Sequence, residues 1–279
     1  MTNDYQPNED SNDKCPNGTF KSLLGEILYA SKVIPSIGFS ITTLASVTAP
    51  NRSDYSALLR VLKYLKGAKK QIDVYKPDNL NITQFTDISF ATTKDRKSVG
   101  CAYIYIGGNL THFYSKKQNM ISKSTTIAEM LELDRATTTS LWIRNMLIHM
   151  KLLNANSPII SFLDCQPTLD LLNGVSINPV NKHHAIRIEW LRNLMADGIL
   201  KVYKIATGDQ LADLGTKVLP AQSFNRMLSI ITNPKMVTKH IHTTTDASPE
   251  PKLHPFHQHD LNILARRRDS NKNGQMDEN

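Results

Sequence analysis

Four carboxylates stand where an acid needs a reason. Asp164 closes the apolar run of "SPIISFLDCQPTLDLLNG", in which Ile159, Ile160, Phe162 and Leu163 read as a buried strand. A helix follows at once, with Pro167 in its first turn. Asp87 lies inside the strand-like "QFTDISFA", among apolar neighbours where β-propensity disfavours it. Glu129 lies in the first turns of a long helical pattern, and Asp213 lies in "GDQLADLGTK", near the start of a helical stretch. Each has an ordinary explanation. Asp164 would serve as a solvated strand end or a helix cap, Asp87 as a strand-edge charge, and Glu129 and Asp213 as acids favoured by a helix macrodipole. Together they occupy a first strand, a first helix, a later strand end and a last helix. Acids aimed at one point repel and raise each other's pKa, so such a cluster is stable mainly when it holds cations.

The elements that must position these acids begin at about residue 72. "QIDVY" and "ITQFTDISFA" predict strands, and "VGCAYIYIGGNLTHFYSKK" predicts two strands joined by a Gly107-Gly108-Asn109 turn. The long helix "STTIAEMLELDRATTTSLWIRNMLIHMKLL" follows, with Ser124 or Thr125 as its cap. Next come the Asp164 strand with its short helix, the helix "KHHAIRIEWLRNLMADG" stopped by Gly198, and the strand "ILKVYKIA". The last segment, "GDQLADLGTKVLPAQSFNRMLSIIT", is helical with a break at Pro220. This order predicts an α/β domain over residues 72–233, a mixed sheet with helices on its faces.

Residues 1–18 predict a disordered polar leader, and residues 19–71 hold three helical patterns broken near Pro35 and at Pro50. The third has Ser53 or Asp54 as its expected N-cap and Gly67 as its stop. Its Arg60, Lys63 and Lys66, with Lys69 and Lys70, form a basic face and tail, either solvated or placed for backbone phosphates. Residues 234–279, rich in His, Pro and charge, predict a disordered tail.

Composition narrows the partners. With 33 Lys and Arg against 25 Asp and Glu, the net +8 favours a polyanion. Cys15, Cys101 and Cys165 form no CxxC pair and no zinc spacing, which fits free thiols in a reducing compartment. No apolar run approaches the ~18 residues of a membrane span, and the start is polar and acidic, so an intracellular protein without membrane association is expected.

The motif order "TDISFA", "RKSVGCAYIYIGGNLTHFYSKKQ", "KSTTIAEMLEL", "SFLDCQPTLDLL", "NKHHAIRIEWLR", "GDQLADLGTKVLP" resembles the ribonuclease H domain of Ty1/copia LTR-retrotransposon Pol polyproteins. The segments "FKSLLGEILYASKVIPSIGFSITTLAS" and "LLRVLKYLKG" resemble the thumb or connection region between the polymerase palm and that domain. The resemblance runs from about residue 19 to residue 233. It implies a ribonuclease H-like, mixed five-stranded sheet with flanking helices, preceded by a small helical segment. It also implies two Mg²⁺ ions, with Mn²⁺ as a substitute, held by Asp87, Glu129, Asp164 and Asp213. Two such ions, roughly 3.5–4 Å apart, stabilise the attacking and leaving oxygens of an in-line displacement. The implied substrate is the RNA strand of an RNA–DNA hybrid, known by its 2′-OH groups and duplex shape.

By the same resemblance His183 orients a phosphate or assists proton transfer, and Lys182 precedes it. An ordinary helix-start histidine is the alternative. Lys116, Lys117, Lys182 and Arg187 are expected nucleic-acid contacts, and the first two could equally be solvated strand-end charges. The polymerase part of a Pol protein is a further expected partner, and the expected locations are the cytoplasm, in a virus-like particle, and the nucleus. The chain departs from the family pattern at Ile127, where an acid is usual, at Cys165, where Asn is usual, and at Phe90, where Trp is usual. Gly215 interrupts the last helical stretch at a cost of about 1 kcal/mol relative to Ala. No Tyr-x-Asp-Asp polymerase motif occurs. The expected activity is therefore that of a ribonuclease H without a palm. The alternative is a decayed or host-recruited nucleic-acid-binding remnant.

Overall fold

Strand β1, Ile82–Ser89, is the middle of the sheet and carries the first of the four acids. Its side chains alternate between two cores, as the pleat requires. Gln84 faces the long helix and donates to Thr137 Oγ1 and Ser161 Oγ at 3.0 and 3.2 Å, while Phe85 packs in the aromatic core on the other side. A computed structural model describes residues 15, 18–68, 72–174 and 183–247. In it β2 (Val99–Ile106) pairs antiparallel with β1, and β3 (Asn109–Lys117) pairs antiparallel with β2. On the other edge β4 (Ile159–Leu163) runs parallel to β1, and β5 (Leu200–Lys204) parallel to β4. The five strands lie in the order β3-β2-β1-β4-β5. The β2–β3 turn is made by Gly107 and Gly108, both at positive φ (55° and 79°), where glycine has no steric penalty.

Three helices precede the sheet: α1 (Thr19–Ala30), α2 (Gly38–Ala45) and α3 (Arg52–Gly67). They share a core around Phe20, Ile27, Ile41, Leu44 and Leu58, and α2 reaches β3 where Thr42 Oγ1 donates to Ser115 O at 2.7 Å. After the hairpin come α4 (Thr125–His149), α5 (Gln166–Asn173) and α6 (Ala185–Ala196), which cover one face of the sheet through Ile127, Met130, Leu133, Leu169, Ile188 and Leu191. The opposite face carries Phe85, Tyr103, Tyr105, Phe162 and Tyr203. It is closed by α7 (Ala221–Ile231) and α8 (Pro234–Ala247).

Three expectations are corrected. "QIDVY" is not a strand: residues 72–80 are irregular, and the Tyr75 backbone bonds instead to the Asn109 side chain, donating to Oδ1 at 2.9 Å and accepting from Nδ2 at 3.1 Å. The predicted tail does not begin at residue 234. Helix α8 buries Val237 completely, and His240 Nε2 lies 2.9 Å from the Asp209 carbonyl oxygen. Residues 248–279 lie outside the described residues, as does nearly all of the leader. The N-cap of α3 is Asn51, not Ser53 or Asp54. Its Oδ1 accepts from the backbone N–H of both, and Asp54 Oδ2 accepts the Asn51 N–H at 2.9 Å, closing a capping box. Asn51→Ala is expected to lower stability by about 1 kcal/mol, read as an earlier midpoint in urea.

Candidate active site

The parallel register brings the first two acids together. Phe85 on β1 pairs with Phe162 on β4, so two residues further on Asp87 and Asp164 come side by side at the carboxyl ends of neighbouring strands. Asp87 is buried and paired across β2 with Cys101, whereas Asp164, one residue past β4, is half-buried. Lys204 Nζ donates to the Asp164 carbonyl oxygen and fixes that strand end.

Asp213 arrives from far along the chain. It sits on a short 3-10 turn, Leu211–Gly215, rather than at the start of an α-helix, since α7 begins only at Ala221. Gln210 pins this turn to β1, donating from Nε2 to Thr86 O at 2.9 Å and accepting the Ala212 N–H. Gly215 lets the turn lie against β2, because a Cβ there would stand 2.2 Å from Cys101 Sγ. This glycine is a requirement for close approach, not an interruption of a helix.

One carboxylate oxygen each from Asp87, Asp164 and Asp213 lies within 4.8 Å of the other two. Glu129, in the second turn of α4, is not one of these converging groups, although the Asp87 and Asp164 charges act on it. Its Oε2 is buried without a hydrogen-bond partner among the described residues. Burial, then the Asp87 and Asp164 charges, hold the Glu129 carboxyl well above its ordinary value. Burial first, then the Asp213 charge, push Asp87 up to about 8, against the opposing Lys217 ammonium and Thr216 hydroxyl. Neither of the other α4 acids joins this group. Glu132 is buried against Gly100, with Gln118 and Arg135 as partners, and Asp134 pairs with Arg187.

Two residues here were not anticipated. Thr216 Oγ1 donates to Asp87 Oδ2, and Lys217 Nζ lies 2.7 Å from Asp213 Oδ1 and 3.3 Å from Asp87 Oδ2. Burial works against the Lys217 charge, but the Asp87 and Asp213 carboxylates outweigh it and raise its pKa. The signal was available in "DLGTK", which spaces a cation four residues after Asp213.

The expected nucleic-acid contacts fare unevenly. His183 is exposed just ahead of α6 and lies outside the convergent acids. Lys116 is exposed near the end of β3 and opposite Gly100, while Lys117 pairs with Asp95 at 3.2 Å. Arg187 is tied to Asp134 on α4. Lys182 lies outside the described residues. Among the described residues no helix is long and apolar enough to cross a membrane.

The donor set is all oxygen, partly unpartnered and crowded with like charge, which suits a hard divalent cation. A five-stranded sheet in the order β3-β2-β1-β4-β5, three strands antiparallel and two added in parallel, with acids at the carboxyl ends of β1 and β4, is the mixed α/β architecture with flanking helices that the sequence predicts.

The chain is similar to retrovirus-related Pol polyproteins from plant transposons. It is 28% identical over 231 residues to the Pol polyprotein of transposon RE2 of Arabidopsis thaliana and 28% identical over 215 residues to that of transposon RE1 of the same plant. It is 25% identical over 208 residues to the Pol polyprotein of transposon TNT 1-94 of Nicotiana tabacum. These matches cover 80, 76 and 74% of this chain but only 16, 15 and 16% of the relatives, so the chain spans a small part of their length. No protein-family model matches it. Among solved structures, LC11 ribonuclease H1 isolated from compost aligns with 53% of this chain and 99% of its own, at 16% identity and a TM-score of 0.37. A foamy viral protease-reverse transcriptase in complex with double-stranded DNA aligns with 74% of this chain and 43% of its own, at 16% identity and a TM-score of 0.29.

Proposed function

We propose that this chain is a ribonuclease H-type, Mg²⁺-dependent hydrolase that cuts the RNA strand of RNA–DNA hybrids. The observation that carries the proposal is the convergence of Asp87, Asp164 and Asp213 within 4.8 Å, and the buried Glu129 Oε2, without a hydrogen-bond partner among the described residues, adds to it. Asp87, Asp164, Asp213 and Glu129 would hold the metal. When bound, it supplies Lewis-acid stabilisation of the attacking and leaving oxygens and favours ionised water near neutral pH.

The chain's own residues do the rest. Thr216 orients the Asp87 carboxylate, and Lys204 holds the backbone at Asp164. Gln210 keeps the Asp213 turn docked on β1. Lys116 is the expected backbone-phosphate contact on the hairpin side, and His183, exposed just ahead of α6, is a second. Arg187 must leave Asp134 to contact a phosphate. The net +8 of the chain supplies the long-range attraction to a polyanion. The polymerase part of a Pol protein is the proposed partner that completes the substrate channel.

The test is cleavage of an end-labelled RNA–DNA hybrid with Mg²⁺, comparing the natural chain with Asp164→Asn. Metal-dependent cuts in the RNA strand are expected, with a fall of about 10²–10³-fold in the variant, the scale on which losing one preorganised charge-stabilising group is felt. Salt-sensitive hybrid binding without cleavage, by folded protein, would replace this proposal with the remnant binding module.

A further inference from the structure

The carboxylate cluster already contains a cation. Lys217 Nζ bridges Asp213 Oδ1 at 2.7 Å and Asp87 Oδ2 at 3.3 Å, two of the three acids whose oxygens converge. The bridge follows from local geometry, because Lys217 lies four residues after Asp213 and its backbone N–H bonds back to Asp213 O at 3.0 Å. Thr216, between them, bonds to the same Asp87 carboxylate, so turn and cation form one unit. Lys217 faces Asp87 and Asp213 directly, whereas Lys204 Nζ is bonded to the Asp164 carbonyl oxygen. The Lys217 side chain is 35% exposed, so its flexible stem has a route to solvent.

We propose that Lys217 is a tethered counter-ion that occupies the carboxylate cluster of the metal-free chain and competes with the divalent cation for Asp87 and Asp213. This rests on the metal-centre reading above. Lys217 stabilises the unloaded fold by offsetting the repulsion of the acids. It weakens metal binding, because an ammonium and a divalent ion on the same carboxylates repel each other. It is a positioning residue, set apart from the ligands by the sign of its effect: removing a ligand weakens metal binding, and removing Lys217 tightens it.

The test uses the full chain and Mn²⁺ alone, with free ion followed by electron paramagnetic resonance and thermal melts run in EDTA. Lys217→Met and Lys217→Gln, which lack the charge, are expected to bind Mn²⁺ roughly tenfold or more tightly than the natural chain. Both are expected to melt at lower temperature in EDTA. Lys217→Arg keeps the charge and should resemble the natural chain in both measurements. Asp164→Asn separates the two ideas. If the natural chain binds Mn²⁺ and Asp164→Asn weakens it, the metal centre stands, and unchanged or weaker binding by folded Lys217→Gln overturns the competition. If neither the natural chain nor the Lys217 variants bind Mn²⁺, the metal centre falls and the competition with it.

Discussion

Asp87→Asn is expected to abolish Mg²⁺-dependent hybrid cleavage while making the metal-free chain more stable at about pH 8. The opposite signs have one cause. Asp87 is buried and faces Asp213 and Asp164, so its folded-state pKa is pushed up to about 8 from an ordinary 3.8. Between those values the folded chain keeps a proton that the unfolded chain has released. Stability is therefore highest below about pH 3.8 as far as this group is concerned, falls as pH rises, and levels off above about pH 8. Asparagine carries no charge, keeps an oxygen that can accept from Thr216, and removes this slope. The gain near the upper end is expected to be about 0.5–2 kcal/mol, the usual scale of a single stabilising substitution. Denaturation in EDTA across this range checks it: a natural chain with a flat profile, or a variant with the same slope, would show that Asp87 is not the group that sets the slope. With saturating Mg²⁺ the natural chain should regain stability and the variant should not, because ligand binding to the folded state adds to its stability.

Gly215→Ala is expected to destabilise the fold by about 1–3 kcal/mol, as overpacking of a tight core does. The new methyl would lie 2.2 Å from Cys101 Sγ and 2.9 Å from Cys101 Cβ. Cys101 has little room to yield, being buried and paired on both sides, with Asp87 on β1 and Ser115 on β3. The turn has little room either, since Ser115 Oγ donates to Gly215 O at 2.6 Å and Thr216 holds Asp87. Removing Sγ with Cys101→Ala in the same chain should recover part of the loss. An unchanged urea midpoint for the single variant would mean that the close approach of turn and strand is not required.

Legibility from sequence tracked locality. The β2–β3 turn, the Ser124 cap of α4 and the stop of α3 at Gly67 each depend on a few consecutive residues, and each could be read directly. "QIDVY" shows why alternation alone misleads. The pattern is present, but Asn109 supplies the backbone partners that a neighbouring strand would have given. Helix α8 was missed because its core-facing positions, the buried Val237 and the half-buried Ile241, are separated by Thr, Lys and His, which read as a solvated tail. The acids were legible as four unusual positions, but only the β1–β4 register and the docked turn show that three of them meet. The four-residue spacing of Lys217 from Asp213 could have been read, but Thr216 and the second arm of Lys217 act on Asp87, some 129 residues earlier, and no short-range pattern carries that pairing. Gly215 looked like a defect until Cys101 was seen beneath it.

The docking of the Leu211–Gly215 turn on β1 also sets when the centre can exist. Gln210 bonds to Thr86 across 124 positions, and Thr216 bonds to Asp87 across 129. During synthesis the hairpin, α4 and the β1–β4 pair can all form while Asp87, Glu129 and Asp164 still lack their fourth acid and their ammonium. Contacts of such long range close late in folding. The cluster is completed only once this turn and Lys217 have left the ribosome, so a nascent chain that ends before Leu211 carries all five strands but lacks Asp213 and the ammonium that bridges it to Asp87.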